Sequence, residues 1–87
     1  MAGYTVDFTT RAAKEIRRLD ASTRRGILVS IAELGIDPRP TACKKLTGEQ
    51  SAWRIRIGDY RVLLETEDTI LTVTVVRVAH RREVYKR

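Results

Sequence analysis

The sequence predicts an α+β fold: a small antiparallel-rich sheet with an N-terminal strand, a helical hairpin on one face and a C-terminal three-stranded meander, in the order β-α-α-β-β-β. Three observations carry this expectation. Apolar residues recur at helical spacing twice between Ala12 and Leu34, Pro38 and Pro40 then bar further helix, and from Trp53 onward short runs rich in β-branched residues are punctuated by turn residues. At 87 residues the chain supports one domain, 1–87, with a single modest core.

Each element has a local cause. Tyr4, Val6 and Phe8 alternate with polar Thr5 and Asp7, the period of a strand. Thr9 or Thr10 is placed to cap a helix by accepting from its free N–H groups, and Ala12, Ile16 and Leu19 form its narrow apolar stripe. Asp20 or Ser22 caps a second helix whose core face is Ile27, Leu28, Ile31 and Leu34. Gly35 suits a left-handed stop after it. In the second half Trp53, Ile55 and Ile57 point one way while Arg54 and Arg56 point the other. Gly58-Asp59 suits a tight hairpin turn, the run Tyr60 to Thr66 follows, and a Glu67-Asp68 turn leads into Ile70 to Val78.

The formal net charge of +6 is unevenly spread. Arg54, Arg56 and Arg61 against Asp59 make residues 54–61 net +2; residues 77–87 are net +4, and residues 62–76 carry only Glu65, Glu67 and Asp68. Two such basic stretches suit a polyanionic partner. The first twenty residues hold seven charged side chains and no long apolar run follows, so neither a secretory leader nor a membrane span is expected, and the cytoplasm is the expected compartment. A single cysteine, Cys43, offers no internal disulfide and no thiol metal site.

The remaining chemistry is narrow. One histidine excludes an internal His pair as acid and base, and no carboxylate cluster suggests a bound catalytic metal, so no cofactor and no metal are expected. No phosphate-cradling glycine loop and no Ser or Cys nucleophile motif is present. Arginine, lysine and tyrosine are left. RNA carries its own nucleophile, the 2′-hydroxyl, so a protein need only orient the strand, accept a proton, stabilise the phosphorane and assist the leaving 5′ oxygen. Guanidinium groups suit the orienting and charge-stabilising parts of that work.

The block Trp53-Arg54-Ile55-Arg56-Ile57-Gly58-Asp59-Tyr60-Arg61-Val62-Leu63 resembles the central hairpin of RelE-type toxins of the RelE/ParE toxin–antitoxin superfamily, and Val78-Ala79-His80-Arg81-Arg82-Glu83-Val84-Tyr85 resembles that family's C-terminal motif. Phe8 to Leu19 and Leu46-Thr47-Gly48 also match the family layout. The resemblance implies a toxin that cleaves messenger RNA in the ribosomal decoding site through 2′-hydroxyl attack, as a metal-independent endoribonuclease. It implies as partners a RelB-like antitoxin, the ribosome with its message, and operator DNA only through the antitoxin. Carried over residue by residue, it implies Tyr85 as base for the 2′-OH, Arg61 on the phosphorane and Arg81 on the leaving oxygen. Arg54, Arg56 and Arg82 then bind RNA phosphates, and the cations near Tyr85 favour its anion.

The chain departs from the family pattern in three places. Prominent members have lysine at Arg54 and Arg56, many have tyrosine at Leu64, and several continue past Arg87 into a further helix. Arginine is a poor proton carrier, so lowered turnover is expected if those lysines move protons. Two alternatives remain: a ParE-like inhibitor of DNA gyrase, against which Val84-Tyr85 argues, and a catalytically weak toxin acting mainly in antitoxin-mediated operon control. Among side chains outside the motif roles, Trp53 is expected in the core, Tyr60 at the hairpin, His80 on the surface, and Arg24, Arg25, Lys44 and Lys45 in solvent.

Overall fold

The first strand finds its neighbour at the other end of the sequence. In the computed structural model, which describes residues 3–40, 43–46, 52–80 and 82, β1 (Thr5–Phe8) runs parallel to β5 (Thr72–His80). Between them come α1 (Thr10–Arg17), α2 (Ala21–Glu33), β2 (Cys43–Lys45), β3 (Ala52–Ile57) and β4 (Tyr60–Glu67). The sheet order is β1-β5-β4-β3-β2, antiparallel everywhere except β1–β5. The α+β expectation and the meander are borne out. One strand was not anticipated: β2, three residues long, adds to β3 with Cys43 opposite Ile55 and Lys45 opposite Trp53.

Both helix starts have the expected side-chain caps. Thr9 Oγ1 accepts from the Ala12 N–H at 3.0 Å and donates to the Val76 carbonyl at 2.8 Å, tying the start of α1 to β5. Asp20 caps α2 by accepting from the Thr23 N–H at 3.1 Å. A cap of this kind stabilises a helix by about 1 kcal/mol. The helices lie on one face of the sheet. Ala12 and Ile16 of α1 and Ile27, Ile31 and Leu34 following along α2 form one core with Ile55, Val62, Leu64, Val73, Val75 and Val78.

The spacing of the β5 core residues is two and then three. A pure strand would send Val75 and Val78 to opposite faces. A bulge resolves this: Leu63 opposes Arg77 and Leu64 opposes Val75, so Val76 is the extra residue that resets the phase. β1 ends opposite Val75, leaving the next stretch of β5 without a strand on that side. Thr9 takes the Val76 carbonyl, and Glu15 Oε1 accepts from the Val78 N–H at 2.8 Å. Side chains of the first helix region thus complete the strand edge.

Three local expectations are corrected. Leu28 is 39% exposed rather than in the core, because Ile27, Ile31 and Leu34 already fill the inner face of α2. Gly35 does not take a left-handed conformation; Gly58 alone among the described glycines has positive φ. A Cβ at Gly35 would stand 3.0 Å from the Tyr4 carbonyl, and its own carbonyl accepts from the Tyr4 N–H at 2.7 Å, so close backbone approach is the requirement there. The turn after β4 is a short 3₁₀ segment, Asp68–Ile70, closed by Leu71 at φ 49°, and β5 begins at Thr72 and reaches His80. Among the described residues no helix is long and apolar enough to cross a membrane.

Candidate nucleic-acid interface

The hairpin of β3 and β4 is the scaffold of the site. Its turn, Gly58-Asp59, has positive φ only at the first position (59° at Gly58), the arrangement of a type II′ turn, so Ile57 pairs directly with Tyr60. That register decides every facing beyond it. Trp53, Ile55, Ile57, Tyr60, Val62 and Leu64 pack into or against the core beneath the helices. Arg54, Arg56 and Arg61 alternate with them and therefore belong to the opposite face.

The pairing draws the basic residues into two rows across the strands. In one, Lys44 of β2 is opposite Arg54, which is opposite Leu63, which is opposite Arg77. In the other, Arg56 is opposite Arg61, which is opposite the small, buried Ala79. Arg54 and Arg61 are half-buried and Arg56 is exposed. Directly opposed like charges destabilise a sheet. Arg56 against Arg61 and Lys44 against Arg54 are both pairs of like charge.

The neighbouring electrostatics are structural. Glu15 Oε2 accepts from Arg77 Nε at 3.2 Å and Nη2 at 3.0 Å, with both side chains mostly sheltered. At the far end of the sheet Asp68 accepts from the Tyr4 hydroxyl at 2.7 Å and from Arg39 at 2.9 Å. The Arg39 hydrogen bond, with help from Tyr4, holds the Asp68 carboxyl below its ordinary range, while bonding to Asp68 raises the Tyr4 phenol. Arg39 also lies 5.1 Å from the Trp53 ring centroid, and Trp53 packs against the core as expected. Burial raises the Cys43 thiol, the wrong direction for a reactive thiolate. Among the described residues no three His, Cys, Asp or Glu side chains gather as a metal site.

Of the residues singled out in the sequence, Arg54, Arg56 and Arg61 are brought together. Arg82 is exposed just past β5, its N–H donating to His80 Nδ1 at 3.2 Å. Arg81 and Tyr85 lie outside the described residues. Lys44 is exposed, as expected, and joins the basic rows through the unforeseen β2. Arg11, Lys14 and Arg18 are exposed cations on α1 and its C-terminal end that the sequence does not single out. Their spacing of three and four on the side of α1 away from Ala12 and Ile16 was the available signal.

Residues 6–85 match the family model described as ParE toxin of type II toxin-antitoxin system, parDE. The chain is 33% identical over 89 residues to "Toxin RelG" of Mycobacterium tuberculosis, covering 97% of this chain and 98% of that one. It is 33% identical over 86 residues to "mRNA interferase toxin RelE" of Escherichia coli, covering 94% and 90%. Its fold superposes with TM-score 0.81 at 30% identity on a chain of the RelBE2 toxin–antitoxin complex from M. tuberculosis, covering 92% of this chain and all of that one.

Proposed function

The chain belongs to the RelE/ParE superfamily as a RelE-like toxin of a type II toxin–antitoxin system, and from that premise we propose that it is a ribosome-dependent messenger-RNA endoribonuclease working without a metal. The observation that carries this is Arg56 set directly opposite Arg61 on the face of the sheet away from the helices, with Lys44 and Arg54 in the next row. Phosphates placed over those rows meet several guanidinium groups at once, which suits charge-assisted, forked hydrogen bonds.

The step is an internal transfer. The 2′ oxygen of the RNA attacks the adjacent phosphorus, its proton passes to the Tyr85 phenolate, and the bond to the 5′ oxygen breaks; that oxygen takes up a proton from water, leaving a 5′-hydroxyl and a 2′,3′-cyclic phosphate. Arg61 stabilises the charge on the phosphorane, and Arg81 assists the departing oxygen. Arg54, Arg56 and Arg82 hold flanking phosphates as planar, permanently charged forks. A RelB-like antitoxin silences the chain by covering this basic surface, and the pair reaches operator DNA through the antitoxin; the matching M. tuberculosis structure, itself a toxin–antitoxin complex, supports this partner.

Induced expression followed by mapping of RNA 5′ ends tests the proposal. New ends inside translated codons, lost when translation is blocked and lost with Tyr85→Phe, are the expected result, and cleavage by the purified toxin on ribosomes persists in a chelator. Intact messages during growth arrest, together with inhibition of gyrase supercoiling by the purified protein, would move the chain to the ParE-like reading.

A further inference from the structure

A second basic surface lies round the end of the sheet from the arginine rows. A cavity of about 530 Å³ opens between α1 and the end of β5, within the size range of small-ligand sites. Its α1 wall carries Arg11, Lys14 and Arg18, one face of the helix, and Glu15 is the one carboxylate among its described lining residues. That carboxylate is committed to Arg77 and to the Val78 N–H, with Arg11 at 3.6 Å. Among the described residues Lys14 and Arg18 have no ion-pair partner. The cavity therefore favours an anion.

Its floor is aromatic. Tyr60 and His80 are cross-strand partners at the end of β4 and β5, their rings 5.3 Å apart at 83°, and both are half-buried. The next pair along the strands is Arg61 with Ala79, on the opposite face. A strand held by the arginine rows and turning over this end of the sheet meets the aromatic pair next. Cations beside stacking rings are the combination used to hold single-stranded nucleic acid.

We propose that this cavity is a further RNA subsite, in which Tyr60 and His80 take a base adjoining the cleaved bond while Lys14 and Arg18, with Arg11, take its phosphates. The assignment rests on the RNA-cleaving reading above and names where its strand continues. The strand is either the message itself or ribosomal RNA beside it; the chemistry is the same.

The test compares the full chain with a Lys14→Ala/Arg18→Ala variant, both of whose changes are at exposed positions. One arm measures affinity for a single-stranded 2′-O-methyl RNA oligonucleotide, which cannot be cleaved; the other measures KM for messages on ribosomes. A loss of affinity of about ten-fold is expected, with a salt dependence shallower by about 0.7 per phosphate contact removed. Ring signals of Tyr60 and His80 should shift when the oligonucleotide binds the parent. Loss in both arms identifies the message strand, and loss on ribosomes alone identifies ribosomal RNA. A variant indistinguishable from the parent in both arms overturns the subsite, as do ring signals that answer to a polyglutamate peptide and not to the oligonucleotide. The two readings fail separately. A parent that cleaves no message yet shows the cavity-dependent binding refutes the nuclease; a parent that cleaves, beside a variant that matches it, refutes only the subsite.

Discussion

The two faces of the β3–β4 hairpin are made by alternate residues of the same sixteen-residue stretch, yet they obey different rules. Toward the helices, Ile55, Val62 and Leu64 are each at most 7% exposed and fit one shared core. Away from them, Arg56 opposes Arg61 and Lys44 opposes Arg54, an arrangement that works against folding. Burial of the first face supplies stability, while the second gathers cations of like sign in cross-strand register.

That contrast can be broken from either side. The largest effect is expected from Leu64→Ala: about 2–5 kcal/mol of stability lost, read as a urea midpoint, with cleavage per folded molecule unchanged. Arg61→Ala should do the reverse, lowering turnover about a hundred- to a thousand-fold while the urea midpoint barely moves. If Arg61→Ala instead unfolded the protein, its face would be structural. Arg56→Thr sharpens the point further. Removing one like charge and adding a good strand former should raise stability by about 0.2–1 kcal/mol while RNA binding weakens, visible as opposite changes in melting temperature and affinity.

The smallest effect concerns pH. Asp68 is held below its ordinary range in the fold, chiefly by Arg39, so it contributes stability above the unfolded carboxylate's range and loses it as pH falls through the folded value. Tyr4 is raised, so its share persists from neutral pH up to the unfolded phenol's range and disappears only as pH rises through the folded one. Both groups sit at the surface, where solvent screens such pairs. Asp68→Asn should slightly flatten the loss of stability between pH 7 and 3, followed by urea midpoints at each pH.

Much of the fold was legible because its causes are local. Thr9 and Asp20 cap where oxygen-bearing side chains precede apolar stripes, and Gly58-Asp59 sets a register that fixes the facing of Arg54, Arg56 and Arg61. What escaped has non-local causes. β2 is a three-residue piece, Cys43-Lys44-Lys45, too short and polar to announce a strand until β3 offers it an edge. The bulge at Val76 exists to bring both Val75 and Val78 inside, which needs the partner strand to be seen. Gly35 was a plausible helix stop, and only the passage of Tyr4 overhead reveals its real constraint. For the site, alternation places Arg54 and Arg56 on one face; the basic side of α1 reads as an ordinary solvated helix, and only the fold brings it beside the end of β5.

The parallel pairing of β1 with β5 has a temporal side. Thr5 meets Thr72, so the sheet's first strand pairs with a segment sixty-seven residues further along the sequence. Pairings this distant in sequence slow folding. The β3–β4 hairpin, by contrast, closes through a two-residue turn, so the strands carrying the arginine rows pair locally while β1 awaits a distant partner.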